Sequence, residues 1–431
     1  MYGTEFFIAN GFKVFLQFGE GQRSYVLYRR HAAKVLCIEV IAIRHVSSSD
    51  RPKNCSFHTY IYHMRKYYLL FLLFCYSFTG CNSAPKPSHE VDTPADSVRT
   101  LKSGLNYPWE ILWGKDDHIW MTERGGKISK IDPKTGNTIF SSSISEVVSR
   151  GEGGLLGMVQ HPDFLLNGLF YVVYNYKSSG GYAEKLVQMK YENGNMRTVK
   201  TLLENIPAAG FHNGSRLLIS GGNDPKLFMT TGDATVQPNA QNTSSVSGKV
   251  LRFNLDGTIP SDNPFPGSPV WSYGHRNQQG LVMANGIMYA SEHGPNIEDE
   301  MNIIEKKRNY GWPTVNGPCN GLDELTFCSA NNVKEPIWSS GNGTLAVCGL
   351  DYYNNNRIPE WKNCLLMLTL KDASLRALKL SVDGKSVVSE QTYFKLRFGR
   401  LRDICISPSG KVYLCTSNGS NGDVLVEVSK L

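Results

Sequence analysis

Between Tyr273 and Pro313 the chain gathers groups able to bind charge of both signs. The run Tyr-Gly-His-Arg-Asn-Gln-Gln-Gly carries Arg276 and Asn277. Ser-Glu-His-Gly-Pro-Asn-Ile-Glu-Asp-Glu adds the Gly294–Pro295 turn and the acids Glu298, Asp299 and Glu300, and Asn-Tyr-Gly-Trp-Pro adds Tyr310. A guanidinium beside a side-chain amide can clamp a carboxylate or an oxyanion. A Gly-Pro turn can offer two carbonyls to a hard cation such as Ca2+, and Glu300 with Tyr310 can hold a second ion. Such a density of Gly, Pro and charge favours loops over a helix or a plain strand.

Three further places can contribute chemistry. His212 lies in a Gly-rich run, Ala208–Leu217, ahead of an apolar segment, and an imidazole pointing from such a loop into a channel can act as a base near neutral pH. Lys371 follows an apolar segment, and Arg400 and Arg402 stand two residues apart, so an extended backbone would put both on one face. Three cations brought to one end of a channel would form a receptor for a polyanion, whereas in unrelated loops they would be ordinary surface charges. The same holds for a lone loop histidine and for an acidic run after a turn. A P-loop, a GxSxG elbow and a GxGxxG run opening a helix are all missing from the sequence, which argues against a P-loop nucleotide site, an elbow serine hydrolase and a Rossmann nicotinamide enzyme.

The elements that must position these groups read as strands. Of 431 residues, 41% are hydrophobic and 19% charged, with 41 Gly and 21 Tyr, a globular composition that leans toward strands and turns. From Val98 onward a short apolar segment recurs at 119–123, 170–174, 227–231, 288–292, 365–369 and 412–416. The mean spacing is about 59 residues, room for four strands and their turns. Six such units predict an all-β fold, a six-bladed β-propeller of four-stranded blades over 98–431. A β-sandwich of similar strands is the alternative. In a propeller the loops at one end of the channel form the site.

The net charge of +7 belongs mostly to the N-terminal part. Residues 1–63 hold eight Lys/Arg against four Asp/Glu, and Arg65 and Lys66 add two more, leaving 81–431 near +1. That balance gives no electrostatic footprint for nucleic acid. Met64-Arg65-Lys66, the apolar Tyr68–Ser77 and Phe78-Thr79-Gly80-Cys81 read as a signal peptide with a lipobox-like end over 64–81, the alternative being an uncleaved interfacial anchor. The expectation is export, to the periplasm or to a membrane through a lipidated Cys81. Residues 1–63 are expected to be an unstructured extension or a mis-called start, and 82–97 a Pro/Ser-rich tether. Cys319–Cys328 and Cys405–Cys415 are the local disulfide candidates, with buried free thiols the alternative.

In this order the motifs resemble the soluble pyrroloquinoline quinone (PQQ)-dependent glucose/aldose sugar dehydrogenase family from about Leu105 to Leu431. The resemblance rests on Pro108-Trp109-Glu110-Ile111-Leu112-Trp113-Gly114, Trp120–Arg124, Gly153-Gly154-Leu155-Leu156-Gly157 with His161-Pro162-Asp163-Phe164, and Gly248–Gly257. The Tyr273–Pro313 stretch and Arg400-Leu401-Arg402-Asp403 complete it. It implies a six-bladed propeller that oxidises the C1 hydroxyl of aldoses to lactones with PQQ and Ca2+. His212 would be the base and Arg276 would stabilise charge on the quinone. Glu152, Asn277, Lys371, Arg400 and Arg402 would line the cofactor, Gly294 and Pro295 would hold its Ca2+, and Glu300 and Tyr310 a structural one. The implied partners are aldose sugars and an external electron acceptor, with a monomer or homodimer expected.

The chain also departs from the family. Glu152 replaces the usual Gln, and a carboxylate repels an anionic cofactor unless it is protonated or paired. Phe211 stands where glucose enzymes carry Asp, Asn-Gly-Ser-Arg follows His212, and the loop Gln237–Ser247 is short and polar. These changes favour a broad aldose-sugar enzyme over a strict glucose enzyme. The other readings are a non-catalytic binding propeller and a Ca2+-dependent lactonase.

Overall fold

The structure, a computed structural model, describes strands within residues 4–28, the pair Glu90–Val91, and the chain from residue 97 to 431. Thr4–Ala9, Phe12–Gly19 and Gln22–Tyr28 form a three-stranded antiparallel meander, where no regular structure was expected. The signal segment 64–81 lies outside the described residues, as does most of the tether.

Six sheets follow, each built from antiparallel neighbours in sequence order. Blade 1 opens with Pro108–Trp113, blade 2 with Leu155–Gln160 and blade 3 with Gly214–Ile219. Gln278–Ala284, Val347–Tyr353 and Leu401–Ile406 open blades 4, 5 and 6. These opening strands touch one another in a closed ring around the channel. Blade 6 takes its fourth strand, Val98–Leu105, from the start of the domain, so hydrogen bonds between the two ends of the domain close the circle. Glu90–Val91 adds a parallel fifth strand to the edge of blade 5.

The recurring apolar segments are the second strands of the six blades. A second strand is packed between neighbouring blades on both faces, so both sets of alternating side chains are apolar. Ile119 and Met121 enter the core between blades 6 and 1, while Trp120 enters the core between blades 1 and 2. Six hydrophobic clusters occupy the six blade interfaces.

The widest gap in the repeat falls in blade 4, where residues 304–337 leave the sheet. The excursion holds the helix Leu322–Asn331, stapled by the Cys319–Cys328 disulfide. The second expected disulfide is corrected: Cys405 and Cys415 are free and buried. The register sets Cys405 opposite Tyr413 and Asp403 opposite Cys415, so the two thiols are not cross-strand partners.

Strand direction alternates within each blade, so two kinds of segment share one end of the channel. One leads into an opening strand, as at Glu152, His212, Arg276 and Arg400. The other links second to third strands, as at Arg124, Asp233, His293 to Pro295, and Lys371.

A candidate active site at one mouth of the channel

His212 sits at φ +62, a left-handed conformation uncommon outside Gly and Asn. It is fixed there by its neighbours: Ala234 N–H donates to its carbonyl at 3.1 Å, and its Nδ1 lies 2.9 Å from Asp233 Oδ1. Asp233 is wholly buried, and its other oxygen accepts the Trp312 indole N–H at 2.9 Å. A carboxylate only accepts, so the imidazole proton sits on Nδ1. Nε2 is left as the basic nitrogen, in the base-and-orienter arrangement that serves proton abstraction.

Cations gather around this pair. Arg276 donates through Nη1 to His293 O at 3.2 Å and lies 5.3 Å over the Trp312 ring. Its main-chain N–H donates to the Glu292 carboxylate. Arg402 is 2% exposed and donates to Gln279 Oε1 at 2.5 Å. Arg124 donates to Gly151 O at 2.6 Å and covers the Tyr107 ring at 4.0 Å; burial and the nearby Arg402 lower its proton affinity. Burial likewise lowers that of Arg276, with Asp233 and Glu292 opposing. The Nε atoms of Arg124, Arg276 and Arg402 are buried without a protein acceptor, as are both amide atoms of Gln278. Glu152 lies within electrostatic reach of Arg124, Arg276 and His293. Its N–H donates to Gly210 O at 2.6 Å, joining its loop to the one that carries His212.

The remaining expected residues take different environments. Asn277 is buried, and its Oδ1 accepts Gly214 N–H at 3.1 Å, so its amide braces the loop after His212. Lys371 and Arg400 are exposed. The alternation expected to align Arg400 with Arg402 is interrupted: Arg400 precedes the strand, and the register shifts between Leu401 and Asp403.

The acids after Gly294 divide by role. Asp299, fully buried, accepts Gly294 N–H at 2.9 Å, Leu345 N–H at 2.5 Å and Ala346 N–H at 2.8 Å, and so shapes the turn. Glu300 accepts Gly317 N–H at 2.7 Å and Asn302 Nδ2 at 2.8 Å; burial and Glu292 push its carboxyl up to about 8. With Glu292, Glu298, Gly294 and Tyr310 it lines a small cavity. The Tyr310 hydroxyl donates to Ile303 O at 2.6 Å and accepts Glu305 N–H at 2.8 Å, so it is engaged within the protein. Among the described residues no three His, Cys, Asp or Glu side chains form a ready metal cage. A cation in this region would draw on main-chain oxygens beside the Glu carboxylates that line the cavity.

Sequence reasoning missed Asp233, Trp312, Arg124 and His293 as site residues. A signal for three of them was present. Arg124, Asp233 and His293 each follow the second strand of a blade by one or two residues, as Lys371 does, so the repeat that counted the blades also points to the channel mouth.

A family model described as Glucose / Sorbosone dehydrogenase matches residues 105–426. The chain is 30% identical over 346 residues to aldose sugar dehydrogenase YliI of Escherichia coli (strain K12), covering 76% of this chain and 92% of that protein. It is 30% identical over 411 residues to quinoprotein glucose dehydrogenase B of Acinetobacter calcoaceticus, covering 75% and 86%. Among solved structures, the PQQ-bound form of aldose sugar dehydrogenase from Streptomyces coelicolor superposes with a TM-score of 0.67 at 30% identity, covering 80% of this chain and 99% of that one.

Proposed function

The chain belongs to the glucose/sorbosone dehydrogenase family, and from that premise we propose that it oxidises the C1 hydroxyl of aldose sugars to lactones with PQQ and Ca2+. The observation that carries the reading is the His212–Asp233 pair together with three nearby arginines, Arg124, Arg276 and Arg402, whose Nε atoms are buried without a protein acceptor. Buried donors outnumber acceptors there, and an anionic, acceptor-rich cofactor would satisfy them. The residues present therefore fit PQQ, held by Arg276, Arg402 and Asn277, with Lys371 and Arg400 at the rim. Glu152 lies within electrostatic reach of Arg124 and Arg276, whose charge reduces the repulsion a lone carboxylate would exert. Ca2+ would take the main-chain oxygens of Gly294 and Pro295, in a turn held by Asp299, and Glu300 with the main-chain oxygen of Tyr310 would serve a second ion.

When bound, PQQ supplies a hydride acceptor and Ca2+ a Lewis acid. The protein's own part is proton removal and charge placement. His212 Nε2 accepts the proton of the C1 hydroxyl while Asp233 holds the ring and stabilises the imidazolium that forms. Arg276, fixed by His293 O and Trp312, presents a preorganised cation to negative charge developing beside the base. The test is dye reduction by the purified protein with PQQ, Ca2+ and a panel of aldoses, with the lactone identified by NMR. No PQQ binding by calorimetry would end this reading.

Export also forms part of the proposal, with Cys81 as lipid anchor. Metabolic labelling with a fatty acid, lost in Cys81→Ser, tests it.

A further inference from the structure

We propose, on the cofactor reading above, that His293 is a hydrogen-bonding contact for the bound quinone. The residue follows the second strand of blade 4 and directly precedes Gly294. Its main chain is spent on the site: the N–H donates to Asn277 O at 3.2 Å and the carbonyl accepts Arg276 Nη1 at 3.2 Å. These two bonds fix the ring relative to both expected cofactor residues. The ring borders two compartments at once. It lines the small cavity with Glu292, Glu300 and Trp312, and it lies within electrostatic reach of Glu152, Arg276, Arg402 and His212 at the channel mouth.

The ring's Nε2 is buried and has no partner in the protein. A buried polar atom left in that state costs free energy comparable to a lost hydrogen bond. The guanidinium neighbours cannot relieve it by accepting, because arginine has no acceptor. Glu152 and the basic Nε2 of His212 are the acceptors among the four neighbours named, and neither is hydrogen-bonded to the His293 Nε2. An oxygen-rich ligand entering between Arg276 and Arg402 would supply the missing partner and satisfy their Nε atoms as well. The same anion would thus be read by two guanidinium groups through charge and by His293 through direction.

The test titrates PQQ into the full chain with Ca2+ present, by calorimetry and by the absorption spectrum of the bound quinone. Wild type is expected to bind, and His293→Ala to bind roughly 10- to 100-fold more weakly, the worth of one hydrogen bond to a charged group. The absorption band should shift in the alanine variant, and His293→Gln should restore most of the affinity. Ca2+ titration of the quinone-free variants should match wild type, a readout that a role confined to shaping the Gly294 turn would move instead. Equal PQQ affinity and an identical spectrum in His293→Ala would overturn the contact while leaving the cofactor reading intact. Loss of Ca2+ binding in both variants would overturn it in favour of a scaffold role. Failure of wild type to bind PQQ would overturn both readings.

Discussion

Trp312 donates its indole N–H to Asp233 across 2.9 Å, tying the blade 4 excursion to the turn that orients His212. The His212 imidazole, the proposed base, is therefore held by two elements remote in sequence, and its tautomer is set by a carboxylate with no access to water. His212→Ala should keep PQQ binding and lose turnover by about 10²–10⁴, the usual worth of a general base. Unchanged turnover would remove His212 from the mechanism.

Asp233→Asn keeps the shape and one acceptor oxygen, which the Trp312 N–H would hold, so an amide N–H would face His212 Nδ1 and select the opposite tautomer. Turnover should drop by about 10²-fold or more with the sugar KM little changed. Trp312→Phe, which leaves the carboxylate but removes one of its donors, should cost far less, roughly 3- to 10-fold. If the two variants lose turnover equally, the indole is acting through packing and not through Asp233.

The blade count was legible because each second strand is packed on both faces, which makes Ile119–Glu123 and its five counterparts apolar over most of their length. The channel-end turns were harder to read, since turn residues gain their meaning from which end of the channel they occupy. Lys371 was chosen for its charge, whereas Asp233, in the same position after its strand, offered no motif. Register was also out of reach: it decided that Cys405 faces Tyr413 and that Arg402 is buried beside an exposed Arg400. In sequence, Asn10-Gly11 is a strong two-residue hairpin signal, and the segments on either side of it, Thr4–Ala9 and Phe12–Gly19, pair antiparallel.

Glu152 is predicted to compete with the quinone for the same cations. Glu152→Gln, which frees Arg124 and Arg276 from an anionic neighbour, should tighten PQQ binding by roughly 3- to 10-fold at low ionic strength. The advantage should shrink as salt screens the site. Weaker binding in the variant at every salt concentration would mean that Glu152 contributes a direct bond instead.

Asp299 is predicted to control Ca2+ without touching it. Its carboxylate collects the N–H groups of Gly294, Leu345 and Ala346, and Asp299→Asn would turn an amide donor toward some of them. Ca2+ affinity by calorimetry should fall about tenfold or more, in the range seen when groups behind metal ligands are altered. An unaltered Ca2+ isotherm would place the ion away from the Gly294 turn.

Glu184 gives a pH signature independent of the catalytic groups. It is fully buried between blades 2 and 3, with Ser215 Oγ donating to it at 3.1 Å, and burial pushes its carboxyl up to about 8 from 4.5. The folded state thus keeps a proton that the unfolded chain releases above pH 4.5. The linked stability is fully present below 4.5 and is lost as pH rises through 8. Glu184→Gln keeps the shape and cannot ionise. Urea unfolding should find the two proteins separated by a constant offset below pH 4.5. At pH 8.5 the balance should have moved toward the variant by on the order of 5 kcal/mol. Other buried carboxyls titrate in both proteins, so the difference between the curves isolates Glu184. A difference that stays flat from pH 4 to 8.5 would show that Glu184 ionises normally in the folded protein.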